Sequence, residues 1–185
     1  MRSSVSLGRV FGIPIGVNWS LIAIAGLIAW TLATGLYPEL YPSIHPATAW
    51  TISILSALLF FGSILAHELG HSVVAQRAGI EVDGITLWLL GGVARLRQEP
   101  KTPKDELKIA AAGPGVSVAL AALFTAVAVG ATLLPFENVI AGVAMYLALV
   151  NGVLAIFNLL PAAPLDGGRI LSSLVWWRTG SRVKA

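Results

Sequence analysis

Two histidines four residues apart with a glutamate between them, His67-Glu68-Leu69-Gly70-His71, supply the parts of a hydrolytic metal site. On a helix the two imidazoles share one face and can hold one ion, with Glu68 beside them. Zinc bound by two imidazoles and a carboxylate keeps a fourth position for water, and an adjacent free carboxylate can take that water's proton. The pattern therefore demands a third ligand elsewhere in the chain. No cysteine is present, so the ligand must be nitrogen or oxygen.

The elements that must position these residues are not those of a soluble domain. Of the 185 residues 56% are hydrophobic and only 11% charged, and the mean hydropathy is +0.82. Long apolar runs account for this. We expect spans at about 17–36, 49–78, 107–134 and 139–160, each long enough for a hydrocarbon layer about 30 Å thick. The first run competes with a cleaved leader, but it exceeds the 7–15 apolar residues of such a segment. The net charge of +3 does not indicate nucleic acid, because no basic stripe with stacking aromatics accompanies it.

Between the spans the pattern changes. Tyr37 to Ala49 holds Pro38, Pro42 and Pro46 and reads as a loop, in which His45 is given no role. Gly12 to Gly16 looks extended. Ile85 to Leu90 and Val93 to Arg97, about Gly91-Gly92, read as a β-hairpin. That hairpin is either plain structure or an edge on which an extended substrate pairs through its backbone. Thr102-Pro103-Lys104-Asp105 begins a helix with a cap and a proline at its first position. The small residues from Ala110 to Ala119 should let that helix pack closely on the one carrying His67. Pro135 to Asn138 is expected to be a short turn. The fourth span ends in Asn158-Leu159-Leu160-Pro161-Ala162-Ala163-Pro164-Leu165-Asp166-Gly167-Gly168, with a broken continuation over 165–177.

With these spans, all twelve Lys and Arg residues fall on one side, including Arg2, Arg77, Arg97, Arg169 and Lys184. The positive-inside rule then makes the amino terminus, the middle loop and the carboxyl terminus cytoplasmic. Depth follows as well. From Ala49 to His67 is about 27 Å of helix and from Asn138 to Asn158 about 30 Å, so the histidines and the broken segment reach the same level. Asp166 is thereby the expected third ligand; taken alone, Asp166 would be a turn residue and Asn158 a helix cap. A chance cluster of ionisable groups in lipid would cost roughly 2.5–3.5 kcal/mol per residue, which weighs against a purely structural polar network.

These pieces together, with Gly12-Ile13-Pro14, Leu89-Leu90-Gly91-Gly92-Val93-Ala94 and Ala111-Ala112-Gly113-Pro114, resemble the site-2 protease family of intramembrane zinc metalloproteases. The resemblance implies one zinc ion per chain on His67, His71 and Asp166, and Glu68 as general base. It also implies that Asn158 assists near the scissile peptide and that Gly91, Gly92 and Val93 help clamp an unwound substrate. Asn18 stands where many bacterial relatives have a histidine before the tryptophan. The expected fold is an all-α polytopic membrane protein of about four transmembrane helices, the fourth interrupted, with a small cytoplasmic-side β-hairpin. Residues 1–185 are expected to form a single intramembrane metalloprotease core, a catalytic fragment without the regulatory parts of longer relatives. The implied partners are the lipid bilayer of the cell membrane and a single-span membrane protein substrate, such as an anti-sigma factor. The alternatives are a metal-binding or metal-transport protein using the same ligands, and an inactive relative that holds its substrate without cutting.

Overall fold

The computed structural model describes residues 5–89, 91–133 and 139–182. The expected turn at Pro135 to Asn138, Leu90 of the glycine motif, and the cations Arg2 and Lys184 lie outside the described residues. In chain order the elements are β1 (Val5–Val10), β2 (Ile13–Val17), α1 (Ser20–Thr31), α2 (Tyr37–Leu40), α3 (Pro46–Arg77), β3 (Val82–Trp88), β4 (Gly91–Leu96), α4 (Pro103–Thr132), α5 (Val139–Asn158) and α6 (Asp166–Thr179). Four helical segments are long and apolar enough to cross a membrane: Ser20–Leu40, Pro46–Arg77, Pro103–Thr132 and Val139–Asn158.

The packing is that of a protein whose solvent is lipid. Leu58, Leu123, Val129 and Ile156 are exposed, whereas Ser53, Ser56, Ser63, Ser72, Ser117 and Asn151 are buried. In hydrocarbon there is no apolar driving force between helices, so small residues and interhelical hydrogen bonds hold the bundle. Asn151 on α5 donates to Ser63 Oγ on α3 at 3.1 Å. Tyr37 and Ser56 share a buried hydroxyl hydrogen bond of 2.6 Å. These helices make this a multi-pass membrane protein.

The first span differs from its expected bounds at both ends. Val17 belongs to β2, so the helix starts at Ser20, and it runs on to Leu40 through a π-helical turn at Leu32–Leu36. Pro38 lacks an N–H and crowds the carbonyl four residues back, which accounts for a widened turn there. The expected loop from Tyr37 thus begins only at Tyr41. His45 has a task after all: its Nδ1 accepts from the Ala47 N–H at 3.2 Å and caps α3. Thr102 caps α4 as expected, accepting from the Asp105 N–H at 3.1 Å.

The expected hairpin is half of a larger element. β3 and β4 pair antiparallel, but β2 pairs parallel with β3 and antiparallel with β1, giving one four-stranded sheet of order β1-β2-β3-β4. Phe11 and Gly12 turn β1 into β2 with φ of 51° and 78°, the twist that suits a two-residue hairpin turn. Ile13 and Ile15 of β2 and Ile85 and Leu87 of β3 pack on Phe61 and Ile64 of α3, forming the main apolar cluster. That cluster sets the sheet against the turn of α3 immediately before His67. β4 is left as the edge strand nearest the site.

Candidate metal centre

His67 and His71 face the same way from α3, and their Nε2 atoms are 3.2 Å apart. Asp166 opens α6, following an extended Leu165. Its Oδ2 lies 3.2 Å from His67 Nε2 and 3.1 Å from His71 Nε2. All three residues are buried. The segment between α5 and α6 makes this possible by folding back in tight turns, with the Ala162 N–H donating to the Leu160 carbonyl and the Leu165 N–H to the Ala162 carbonyl, both at 2.8 Å. Gly167 and Gly168 are required there, since a Cβ on either would strike the backbone at Leu159 or Ala162.

The donor set fits a metal ion. His71 Nδ1 donates to the Ile109 carbonyl at 2.6 Å; because a carbonyl only accepts, the lone pair is on Nε2, facing the triangle. His67 Nδ1 is held by Ser117 Oγ at 2.9 Å. Each ring is therefore oriented through its far nitrogen, as imidazole ligands are in metal sites. Lone pairs and a carboxylate oxygen this close repel one another unless a cation sits among them. The 3.1–3.2 Å edges also approach the roughly 3.3 Å edge of a tetrahedron with bonds of about 2.0–2.1 Å. Among the described residues this is the cluster suited to a metal.

One stripe of α4 backs the triangle. Ile109 supplies the carbonyl for His71, Ser117 the hydroxyl for His67, and between them Gly113 leaves space that a Cβ would take from both Nε2 atoms. Gly70 of α3 makes the reciprocal accommodation, as a Cβ there would lie 2.9 Å from Val116 Cγ2 and 3.0 Å from the Ala112 carbonyl oxygen. The close α3–α4 packing expected from the small residues is thus present. Ser117 and Gly113 were not singled out from the sequence as site residues. A buried hydroxyl at the level of the two histidines, on a helix of mostly apolar residues, is the signal available.

The neighbouring face is open. A cavity of about 280 Å³ is lined by His67, Glu68, Gly91, Gly92, Leu154 and Asn158, among others. Glu68 lies against β4 so closely that a Cβ on Gly92 would meet its Cδ at 3.1 Å. Asn158 is at the cavity wall but uses one N–H on its own helix, donating to the Leu154 carbonyl at 2.9 Å. Val93 is outside the lining and 44% exposed. The structure therefore gathers His67, Glu68, His71, Asp166, Asn158, Gly91 and Gly92 about one point, and leaves Val93 farther along the β4 edge.

A four-helix membrane bundle with an interrupted final span and a His-His-Asp triangle near one end defines the class of intramembrane metalloprotease folds. The chain belongs to Peptidase family M50, whose profile it matches over residues 55–143 and 134–185. It is 44% identical over its whole length to the Mycobacterium tuberculosis protein named "Putative zinc metalloprotease Rip3", covering 47% of that protein. It is 34% identical over 177 residues to "Zinc metalloprotease MJ0392" of Methanocaldococcus jannaschii, covering 95% of this chain and 46% of that one. The chain spans about half the length of these curated relatives. Among solved structures, the site-2 protease from Methanocaldococcus jannaschii superposes with a TM-score of 0.63 at 31% identity, over 95% of this chain and 73% of that one.

Proposed function

We propose that residues 1–185 are the core of an intramembrane zinc metalloendopeptidase that cleaves a membrane-spanning segment of another protein. The observation that carries this reading is the triangle of Nε2, Nε2 and Oδ2 atoms, with a carboxylate outside the triangle, Glu68, on the adjoining cavity. His67, His71 and Asp166 are its ligands, for one ion per chain. Zinc supplies Lewis acidity, making water a nucleophile near neutral pH and stabilising charge on the scissile carbonyl oxygen. The Glu68 carboxylate takes the proton of the attacking water and returns it to the nitrogen of the leaving strand.

The substrate must be extended at the cut, because a helix engages its carbonyls internally and screens them with side chains. Among the described residues the outer edge of β4 has no neighbouring strand in the sheet, and Gly91 and Gly92 bring that edge over Glu68. An unwound segment adding there gains backbone hydrogen bonds as it reaches the cavity. The Val93 side chain meets the substrate beyond the cut, and the second N–H of Asn158 is directed at a peptide carbonyl. The distribution of Lys and Arg supports a cell-membrane orientation with the amino terminus, the β3–β4 region and α6 cytoplasmic. Water then reaches the site from the cytoplasm. The substrate we favour is a single-span signalling protein, for which an anti-sigma factor is the natural candidate.

The test separates ligand from base. Purified protein should carry about one zinc per chain, and Asp166→Ala should lose it. Glu68→Ala should keep the zinc and slow cleavage of a reconstituted transmembrane substrate by about 10²–10⁴-fold. Undiminished cleavage by Glu68→Ala would sink the assignment, and zinc flux into sealed vesicles would favour transport instead.

A further inference from the structure

Glu106 sits at the end of the α4 stripe that backs the metal triangle, and it is only 6% exposed. Its Oε1 accepts from Arg169 Nε at 2.9 Å. Its Oε2 makes no hydrogen bond, with Arg182 Nη2 at 3.8 Å. A buried carboxylate is expensive unless a specific partner holds it. Here the hydrogen-bonded partner comes from α6, not from α4 itself.

The positions of the two residues matter more than the pair's strength. Glu106 is three residues before Ile109, whose carbonyl orients His71. Arg169 is three residues after Asp166 on α6. Three residues of helix rise about 4.5 Å, so the ion pair ties the two helices about one turn away from the ligands. Asp166 needs such a tie. It does not continue the helix of α5, because Leu159 to Leu165 interrupts it with Pro161 and Pro164. Gly167 and Gly168, next to Asp166, bring no side chains that could lock α6 in place.

We infer that Glu106 and Arg169 are positioning residues for the metal triangle: their ion pair sets α6 against α4 and thereby fixes Asp166 Oδ2 relative to His71 Nε2. The inference rests on the metal-site reading above and extends it to two residues that touch neither metal nor substrate. Arg182, more distant and on the rim, is not part of the tie.

The full chain, purified in detergent, allows a direct test by zinc affinity in chelator competition and by the visible absorption of the cobalt-substituted protein, which reports ligand geometry. Glu106→Gln and Arg169→Gln should each weaken zinc binding about tenfold, in the range for groups that orient ligands indirectly, and alter the cobalt bands. The double variant should lose no more than either single one. Arg169→Lys should recover most of the affinity, and Arg182→Gln should match the parent. The Arg169 side chain is 35% exposed, so its variants carry the test independently of whether Glu106→Gln folds. Unchanged affinity and cobalt bands, even with a lowered melting temperature, would reduce the pair to a fold-stabilising contact; additive losses would deny that the two residues act together. If the parent bound no zinc, or Asp166→Asn bound it equally well, the metal-site reading itself would fall. That outcome is distinct from a parent that binds zinc tightly and is indifferent to Glu106.

Discussion

The two faces of α3 at the His67 turn are built on opposite principles. On the ligand face His67 and His71 are 4% and 6% exposed, and each has its second nitrogen held by α4. On the substrate face Glu68 and Asn158 border a cavity of about 280 Å³ and a strand edge with one side unpaired. Ligands for a metal must be preorganised to a fraction of an ångström, and rigid packing supplies this. A peptide must enter, unwind and leave, and a packed wall would forbid it. The same helix serves both because successive residues differ by about 100° in direction.

This contrast makes the ligand face the more fragile. Gly113→Ala should be the most damaging single methyl group: alanine favours helix over glycine by about 1 kcal/mol, yet its Cβ would take the space of both Nε2 atoms. We expect zinc content near zero with helicity by circular dichroism intact. Full zinc in this variant would show that the ligand face yields, and the contrast would collapse. On the substrate face, Gly92→Ala should displace Glu68 and slow cleavage by about 10²-fold, as a misplacement of about 1 Å can, while zinc content stays at the parent level. Loss of zinc there would mean the faces are mechanically coupled. The smallest effect sharpens the ligand face alone. Ser117→Ala removes the partner of His67 Nδ1 and should weaken zinc in chelator competition about tenfold, with cleavage at saturating zinc close to normal.

The parts legible in the sequence were those with a period or a composition. Four apolar runs, the Thr102 cap and the His67-to-His71 spacing are one-dimensional signals, and counting helical rise from each span's far end brought Asp166 to the histidines' depth. The parts that were not legible depend on what another segment supplies. Gly12 to Gly16 reads as extended, but that β2 joins a sheet depends on β3, which offers Ile15 and Val17 a parallel partner, and on β1 at its other edge. Tyr37 was assigned to a loop because prolines surround it, but Ser56 receives its hydroxyl and keeps the segment helical. Ser117 looked like one more small residue among Gly115 to Ala119. His45 seemed solvated, and its cap on α3 depends on the backbone of the very next turn.

The parallel pairing of β2 with β3 also bears on how the protein is made. Ile15 meets Ile85 and Val17 meets Leu87, and between those partners the chain runs through both α1 and α3. Parallel strands always need such a crossover, and here it contains two helical segments long and apolar enough to cross a membrane. The sheet closes only where α1 and α3 bring β2 and β3 to the same level. Among the described residues β4 pairs with β3 alone, in a local hairpin, so the strand beside Glu68 forms from neighbouring residues while its seat on the bundle comes from a partner about 70 residues away in sequence.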